Sequence, residues 1–268
     1  VLSNILLQYN FLYSLFERLS FISEKLFKSR YALIPFFISF VSGYPSGAMT
    51  VNTMVSNRRI NEKEANYLTF FTNNCSFQFA AGAIAFSMLE SFSLVKYIAV
   101  PHLIGAVILS FLIRGQIDIN FSKSLRLKPV PFNQAFSTAI YKSVTGILSV
   151  GGVIVIFSVF SCLLNHSLSS AAMSISMSSG VKDVIYSLLA GSLEITNGCS
   201  IISKSEFVSL KVKLIIINFI MSFSGMSVMF QTVAVTDGFS LDIKKYIFYK
   251  FVHGIISSLL CIAMLRFI

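Results

Sequence analysis

Acidic residues are scarce in this chain: Asp and Glu number 11 among 268 residues, and charged residues of both signs make up only 12%. A soluble domain carries about 25% charged residues, so this composition cannot coat a water-soluble globule. No stretch is polar enough to build a separate soluble domain. Cysteine is sparse as well. Cys75, Cys162, Cys199 and Cys261 lie in apolar or small-residue surroundings without a C-x-x-C pair, which excludes a zinc site and a disulfide framework. Three histidines, far apart in sequence, set no metal-ligand spacing. No Ser-His-Asp arrangement, paired carboxylates or cofactor motif is present. The expectation is a protein that is not an enzyme, with no metal and no cofactor. The chain opens Val1-Leu2-Ser3-Asn4, with no initiator Met and no basic region before the apolar run. It does not read as a signal peptide, and a fragment or trimmed chain is expected.

Apolar residues are what the chain has: they form 55% of it, and the mean hydropathy is +0.77. A helix crossing the hydrocarbon core needs about 20 of them. Stretches 67–89, 94–113, 144–164 and 246–266 meet or approach that length, and 214–235 is a fifth with a polar, small-residue break. Residues 1–16 look like the remainder of another. Residues 19–31 mix Glu24, Lys25, Lys28 and Arg30 with Phe21, Ile22, Leu26 and Phe27, the pattern of an amphipathic interfacial helix. The 114–134 loop is polar and basic, and 165–180 is Ser-rich and reads as an exposed linker.

Two apolar runs are too short to span. Residues 32–41 stop at Ser42-Gly43-Tyr44-Pro45-Ser46-Gly47, and 185–190 stop before Glu194-Ile195-Thr196-Asn197-Gly198. Each predicts a half helix, a turn and another half helix, a re-entrant hairpin. Non-helical backbone at membrane depth is tolerated only where it is buried in protein or lines a watery cavity. These turns are therefore candidate sites.

The turns belong to a repeat of about 150 residues. Pro45-Ser46-Gly47 corresponds to Thr196-Asn197-Gly198, the polar run from Thr72 to Ser76 to the run from Ser222 to Ser227, and Lys96-Tyr97-Ile98 to Lys245-Tyr246-Ile247. The expected fold is all-α, a polytopic integral membrane protein with two inverted repeats, each a re-entrant hairpin, a broken helix and a full transmembrane helix. The divisions are 1–31, 32–113 (first repeat), 114–181 and 182–268 (second repeat). Charge supports the inversion. This topology puts 15 of the 21 basic residues, Lys250 among them, on one face and six on the other, which makes the first face cytoplasmic. The net charge of +10 then reports topology, and no nucleic-acid partner is expected. Inverted repeats with broken helices are the pattern of many secondary transporters, whose sites lie near the midplane.

The candidate substrate contacts are the polar groups at the interruptions. Glu194 is the only acidic residue that the sequence places inside an apolar stretch. It could bind a coupling ion or substrate, or cap its hairpin by accepting backbone N–H bonds. Asn73, Asn74 and Ser76 offer amides and a hydroxyl where the first helix unwinds, and Ser224, Ser227 and Gln231 do so in the second. Ser42, Tyr44 and Ser46 surround Pro45, and Thr196 and Asn197 follow Glu194. Half-helix N-termini suit an anionic ligand group, while the same Ser, Asn and Gln side chains could instead join helices to one another. His102 and His253 read as packing or hydrogen-bonded residues.

The motifs also carry a family likeness. Residues 40–48 (FVSGYPSGA), 60–65 (INEKEA) and 71–74 (FTNN), with 193–198 (LEITNG), 224–231 (SGMSVMFQ) and His253-Gly254, resemble in order the YlbJ family of sporulation integral membrane proteins, in the nucleoside-recognition or Gate-domain superfamily. The chain departs from the family pattern at Cys75-Ser76-Phe77 and at Met229. The resemblance implies a transporter in the outer forespore membrane, or the cell membrane, of a spore-forming bacterium, moving dipicolinic acid toward the forespore. Its partners would be that small anionic solute and membrane lipid, with a homo-oligomer left open. The alternatives are a non-transporting gate or scaffold subunit of a sporulation complex, and a transporter of a nucleoside-like solute.

Overall fold

The computed structural model describes residues 5, 11–116, 131–172 and 178–266, and among them every regular element is a helix. Helices α1 (Phe11–Glu17) and α2 (Ser20–Phe27) lead into α3 (Leu33–Ser42) and α4 (Ser46–Ser56), which are joined by the turn 43–45. Helix α5 (Glu62–Thr72) starts at Asn61, whose side chain accepts the Glu64 N–H at 2.8 Å. Glu62 and Glu64 in its first turn complement the positive helix end. The apolar stretch 67–89 is not one helix. After Thr72 the chain leaves helical geometry through residues 73–76 and then winds into a π-helical segment, Phe79–Met88.

Helix α6 (Val95–Ile113) follows, then α7 (Phe132–Ala172), α8 (Ser179–Leu193) and α9 (Ile195–Lys204). Helix α10 (Leu210–Phe223) and α11 (Gly225–Ala234) form the second interrupted helix. The interruption is built by Ser224 and Gly225, both with positive φ (72° and 63°), a left-handed step that stops a helix. Helix α12 (Ile243–Leu265) starts at Asp242, which accepts the Lys245 N–H at 3.1 Å. That bond holds the exposed Asp242 carboxyl below the usual carboxylate range.

The chain is a polytopic membrane protein. Four segments among the described residues are long and apolar enough to cross a bilayer: Phe92–Ile113, Phe132–Leu164, Leu210–Ala234 and Ile243–Leu265. They are not equivalent. In the α10–α11 segment 61% of the most apolar stretch is buried inside the protein, against 6% for α7. Helix α7 therefore lies at the periphery and touches the rest along one narrow face, through α8 and α11.

Helices α6, α10 and α12 form the centre. A Cβ at Gly105 of α6 would stand 2.5 Å from Ser257 Oγ and 3.1 Å from the His253 ring of α12. One at Gly254 would stand 3.0 Å from the Phe219 ring of α10. Glycine at these positions lets the helix axes approach closely, as small residues do in membrane helix pairs. Around this centre Phe27 stacks on Phe71 at 5.3 Å and Tyr67 meets Phe71 edge to face at 5.0 Å, and the Tyr67 hydroxyl donates to the Phe27 carbonyl at 2.7 Å.

Three expectations need correction. The Ser-rich segment 165–180 is not a linker from its start, because α7 continues through Ala172; residues 173–177 lie outside the described residues, as do 117–130 of the basic loop and most of 1–10. Lys250 does not belong to a polar face. It is fully buried in α12, one turn beyond the exposed Lys244 and Lys245. Glu194 is also not the single buried carboxylate: Glu64, which lies outside every apolar stretch of the sequence, is 3% exposed and accepts the Ser29 hydroxyl at 2.7 Å.

Candidate functional site

The first turn is shaped by Gly43, which has φ +79° and N–H bonded to the Ser39 carbonyl. A Cβ there would press on Ser76 at 3.2 Å, so the turn lies directly on the first helix interruption. Gly47, at the start of α4, makes the same approach from the other side: a Cβ would collide with the Thr72 carbonyl and Asn73 Cα. In the second half the interruption again meets a hairpin. A Cβ on Gly225 would lie 2.7 Å from the Gly191 carbonyl at the end of α8. The hairpin itself is tight, since a Cβ on Gly198 of α9 would collide with the Gly191 backbone.

Polar side chains hold these crossings. The Asn73 amide donates to Thr232 Oγ1 (2.8 Å) and Tyr246 Oη (2.9 Å), and its oxygen accepts the Ala48 N–H (3.4 Å). The Cys75 N–H donates to His102 Nε2 at 3.1 Å, and His102 Nδ1 lies 2.8 Å from Ser222 Oγ. With Nε2 accepting, Nδ1 carries the proton. His253 stacks on His102 with ring centres 4.9 Å apart. Its Nε2 donates to the His102 carbonyl at 2.9 Å, which leaves Nδ1 as an acceptor. Both histidines are thus hydrogen-bonded core residues.

That acceptor faces Lys250. Lys250 Nζ reaches the Asn73 carbonyl at 3.1 Å, Tyr44 Oη at 3.3 Å and His253 Nδ1 at 3.3 Å, and lies 5.3 Å from the Tyr44 ring centre. These three neutral groups are its hydrogen-bond partners, and no carboxylate pairs with it among the described residues. Sequence reasoning missed this residue. The available signal was helical period: Tyr246, Lys250, His253, Ser257 and Cys261 fall on one face of α12, and all five are buried. A lysine in that stripe belongs to the core.

Glu194 caps α9. Its Oε2 accepts the Asn197 N–H at 3.0 Å and its Oε1 the Thr196 hydroxyl at 3.2 Å. The capping alternative is therefore realised in the geometry. The same residue also faces a cavity of about 230 Å³, where both turns and the first interruption meet: Ser42, Gly43 and Tyr44, Cys75 and Ser76, Glu194 and Thr196, with Val228 and Gln231 of α11 and Val150 and Ile154 of α7. Six of the candidate contacts, Ser42, Tyr44, Ser76, Glu194, Thr196 and Gln231, share this wall. Ser46 lines a neighbouring cavity of about 420 Å³, which shares Ser42, Tyr44, Val150 and Ile154 with the first. Asn197 lines a third, of about 310 Å³, with Ser200 and Lys204. The other candidates are buried in packing contacts. Asn73 is spent as above, Asn74 Nδ2 donates to the Phe71 carbonyl, Ser224 Oγ donates to the Phe223 carbonyl, and Ser227 Oγ accepts from Gln231.

No family model matches the chain, and no solved structure matches it. Among curated proteins, the sporulation integral membrane protein YlbJ of Bacillus subtilis (strain 168) is 27% identical over 244 residues, covering 81% of this chain and 60% of the relative. The chain thus spans about three fifths of the length of the curated relative it matches. This similarity supports the resemblance to the family of the sporulation integral membrane protein YlbJ.

Proposed function

We propose that the chain is a secondary-type membrane transporter of a small anionic metabolite. The observation that carries this reading is a file of three cavities along α7. The first is lined by Lys142, Gly146 and Val150, the central one by Val150 and Ile154, and the third by Ser158, Ser161 and Cys162. At 1.5 Å per residue, the helix from position 142 to 162 rises about 30 Å, which is the thickness of the hydrocarbon core. A row of cavities of that length suits a solute path. Lys142 stands at one end and Lys204 at the other, so each mouth offers a positive charge to an anion.

The substrate site in this reading is the central cavity, where irregular backbone from both halves meets. Elements run in the same order twice: α3–α4 hairpin, α5 with the π-helical segment, α6; then α8–α9 hairpin, α10 with α11, α12. That order supports two repeats, 32–113 and 182–268, with 1–31 and 114–181 as the added segments; their opposite orientation rests on the distribution of basic residues. The relative's name ties it to sporulation; dipicolinic acid as the solute and a forespore membrane as the location are what the family resemblance implies for this chain. Vesicles containing only this chain are expected to take up labelled dipicolinate. No uptake above empty vesicles, with the chain folded, would overturn transport and favour a gate subunit that needs a partner.

A further inference from the structure

We propose that Lys250 and the central cavity form one coupled proton and anion site: Nζ takes a proton from solvent as a dicarboxylate enters the cavity and returns it when the anion leaves. This rests on the transporter reading of the cavity. Lys250 is fully buried, its three hydrogen-bond partners are neutral, and no carboxylate pairs with it among the described residues. A buried ammonium without a counter-ion is costly. The cavity lies one side chain away. Tyr44 accepts a hydrogen bond from Nζ with its hydroxyl, which itself donates to the Met221 carbonyl, and is one of the residues that line the cavity. An anion held against Tyr44 therefore supplies the missing negative charge, and at such short range in a partly dry site the attraction is far stronger than in water.

Linkage then works in both directions. Whatever factor the anion adds to proton affinity at Lys250, the proton adds to anion affinity in the cavity. The other titratable groups facing Lys250 are Tyr44 from the first turn, Cys75 from the first interruption, His102 from α6 and His253 from its own helix, with Tyr246 beyond Asn73. None is a carboxylate. Glu194 lines the cavity, but its oxygens are committed to the Asn197 N–H and the Thr196 hydroxyl. Its charge repels an incoming anion, which makes a compensating cation behind Tyr44 more necessary.

The test is equilibrium binding of dipicolinate to the purified full chain between about pH 6 and about pH 10, where both ligand carboxylates stay ionised. One linked proton lowers affinity by up to about tenfold per unit rise in pH, with proton uptake visible as a buffer-dependent binding heat. Glu194→Gln should keep that slope. Lys250→Arg, which stays charged, should bind with a flat profile, and Lys250→Met should bind weakly and without a slope. A flat wild-type profile would overturn this inference alone. A slope that survives in Lys250→Arg, or that vanishes in Glu194→Gln, would also overturn it by moving the proton to a histidine or to Glu194. Absence of any dipicolinate binding by the wild type would overturn the reading of the cavity, and this inference with it.

Discussion

Lys250 Nζ and the backbone carbonyl oxygen of Asn73 meet at 3.1 Å, across 177 residues of chain. The bond closes a loop of contacts, because the Asn73 side chain reaches Tyr246, one turn before Lys250 on the same helix, and Thr232 of α11. The first helix interruption is thereby fastened to the second half by both its backbone and its side chain.

Asn73→Ala is expected to lower stability by about 1–3 kcal/mol, since it strips buried partners from the Ala48 N–H and the Tyr246 hydroxyl. Thermal unfolding in detergent reads this directly. A midpoint equal to wild type would show that the interruption holds without the amide.

Glu194 separates capping from solute contact. Glu194→Ala removes the acceptor for the Asn197 N–H and should cost about 0.5–2 kcal/mol, while Glu194→Gln retains an oxygen at that position. Transport by both variants at the wild-type rate would exclude any role for Glu194 in coupling or gating.

Two glycines make a matched pair. Gly198→Val forces a side chain into the Gly191 backbone, and overpacking of this kind costs about 1–3 kcal/mol or more. At Gly82 nothing lies within 4 Å of an added Cβ, so Gly82→Ala should leave the unfolding midpoint unchanged or slightly higher. Equal effects at the two sites would contradict the tight second hairpin.

In the proposed topology, with halves of opposite orientation, positions 63 and 204 lie on different sides of the membrane. In a Cys162→Ser background, Lys63→Cys and Lys204→Cys should react with an impermeant thiol reagent from opposite faces of oriented vesicles. Labelling from the same face would refute the inversion.

The mouths of the cavity file make a further prediction. Lys142→Gln and Lys204→Gln should slow dipicolinate uptake at low ionic strength, with the difference shrinking as salt screens the charges. A salt-independent difference would mean that these lysines act on structure.

The helix interruptions were legible because Asn73-Asn74-Cys75-Ser76 and Ser224-Gly225 are residues that a helix within an apolar stretch does not need. The turns were legible for a related reason: ten apolar residues before Ser42-Gly43 cannot span a bilayer. Lys250 and Glu64 were not legible, because a count by residue type sends every charge to water. Lys250 lies near two exposed lysines and Glu64 near the exposed Lys63, so only the buried face of each helix separates core from surface. The cavity wall was half legible. Ser42, Tyr44 and Ser76 are short-range consequences of turn and interruption, whereas Gln231 joins Glu194 across the cavity only through the way α11 packs on α8. The file along α7 had no sequence signal, since it depends on which few residues of a mostly lipid-facing helix turn inward.

The most direct test of the account is dipicolinate uptake by vesicles carrying Ser42→Cys in a Cys162→Ser background, measured before and after a bulky thiol reagent. Position 42 borders both the central cavity and its neighbour. The account predicts uptake above empty vesicles before modification and its loss afterwards. Absence of uptake by the folded chain, or uptake unchanged once position 42 is modified, would contradict it.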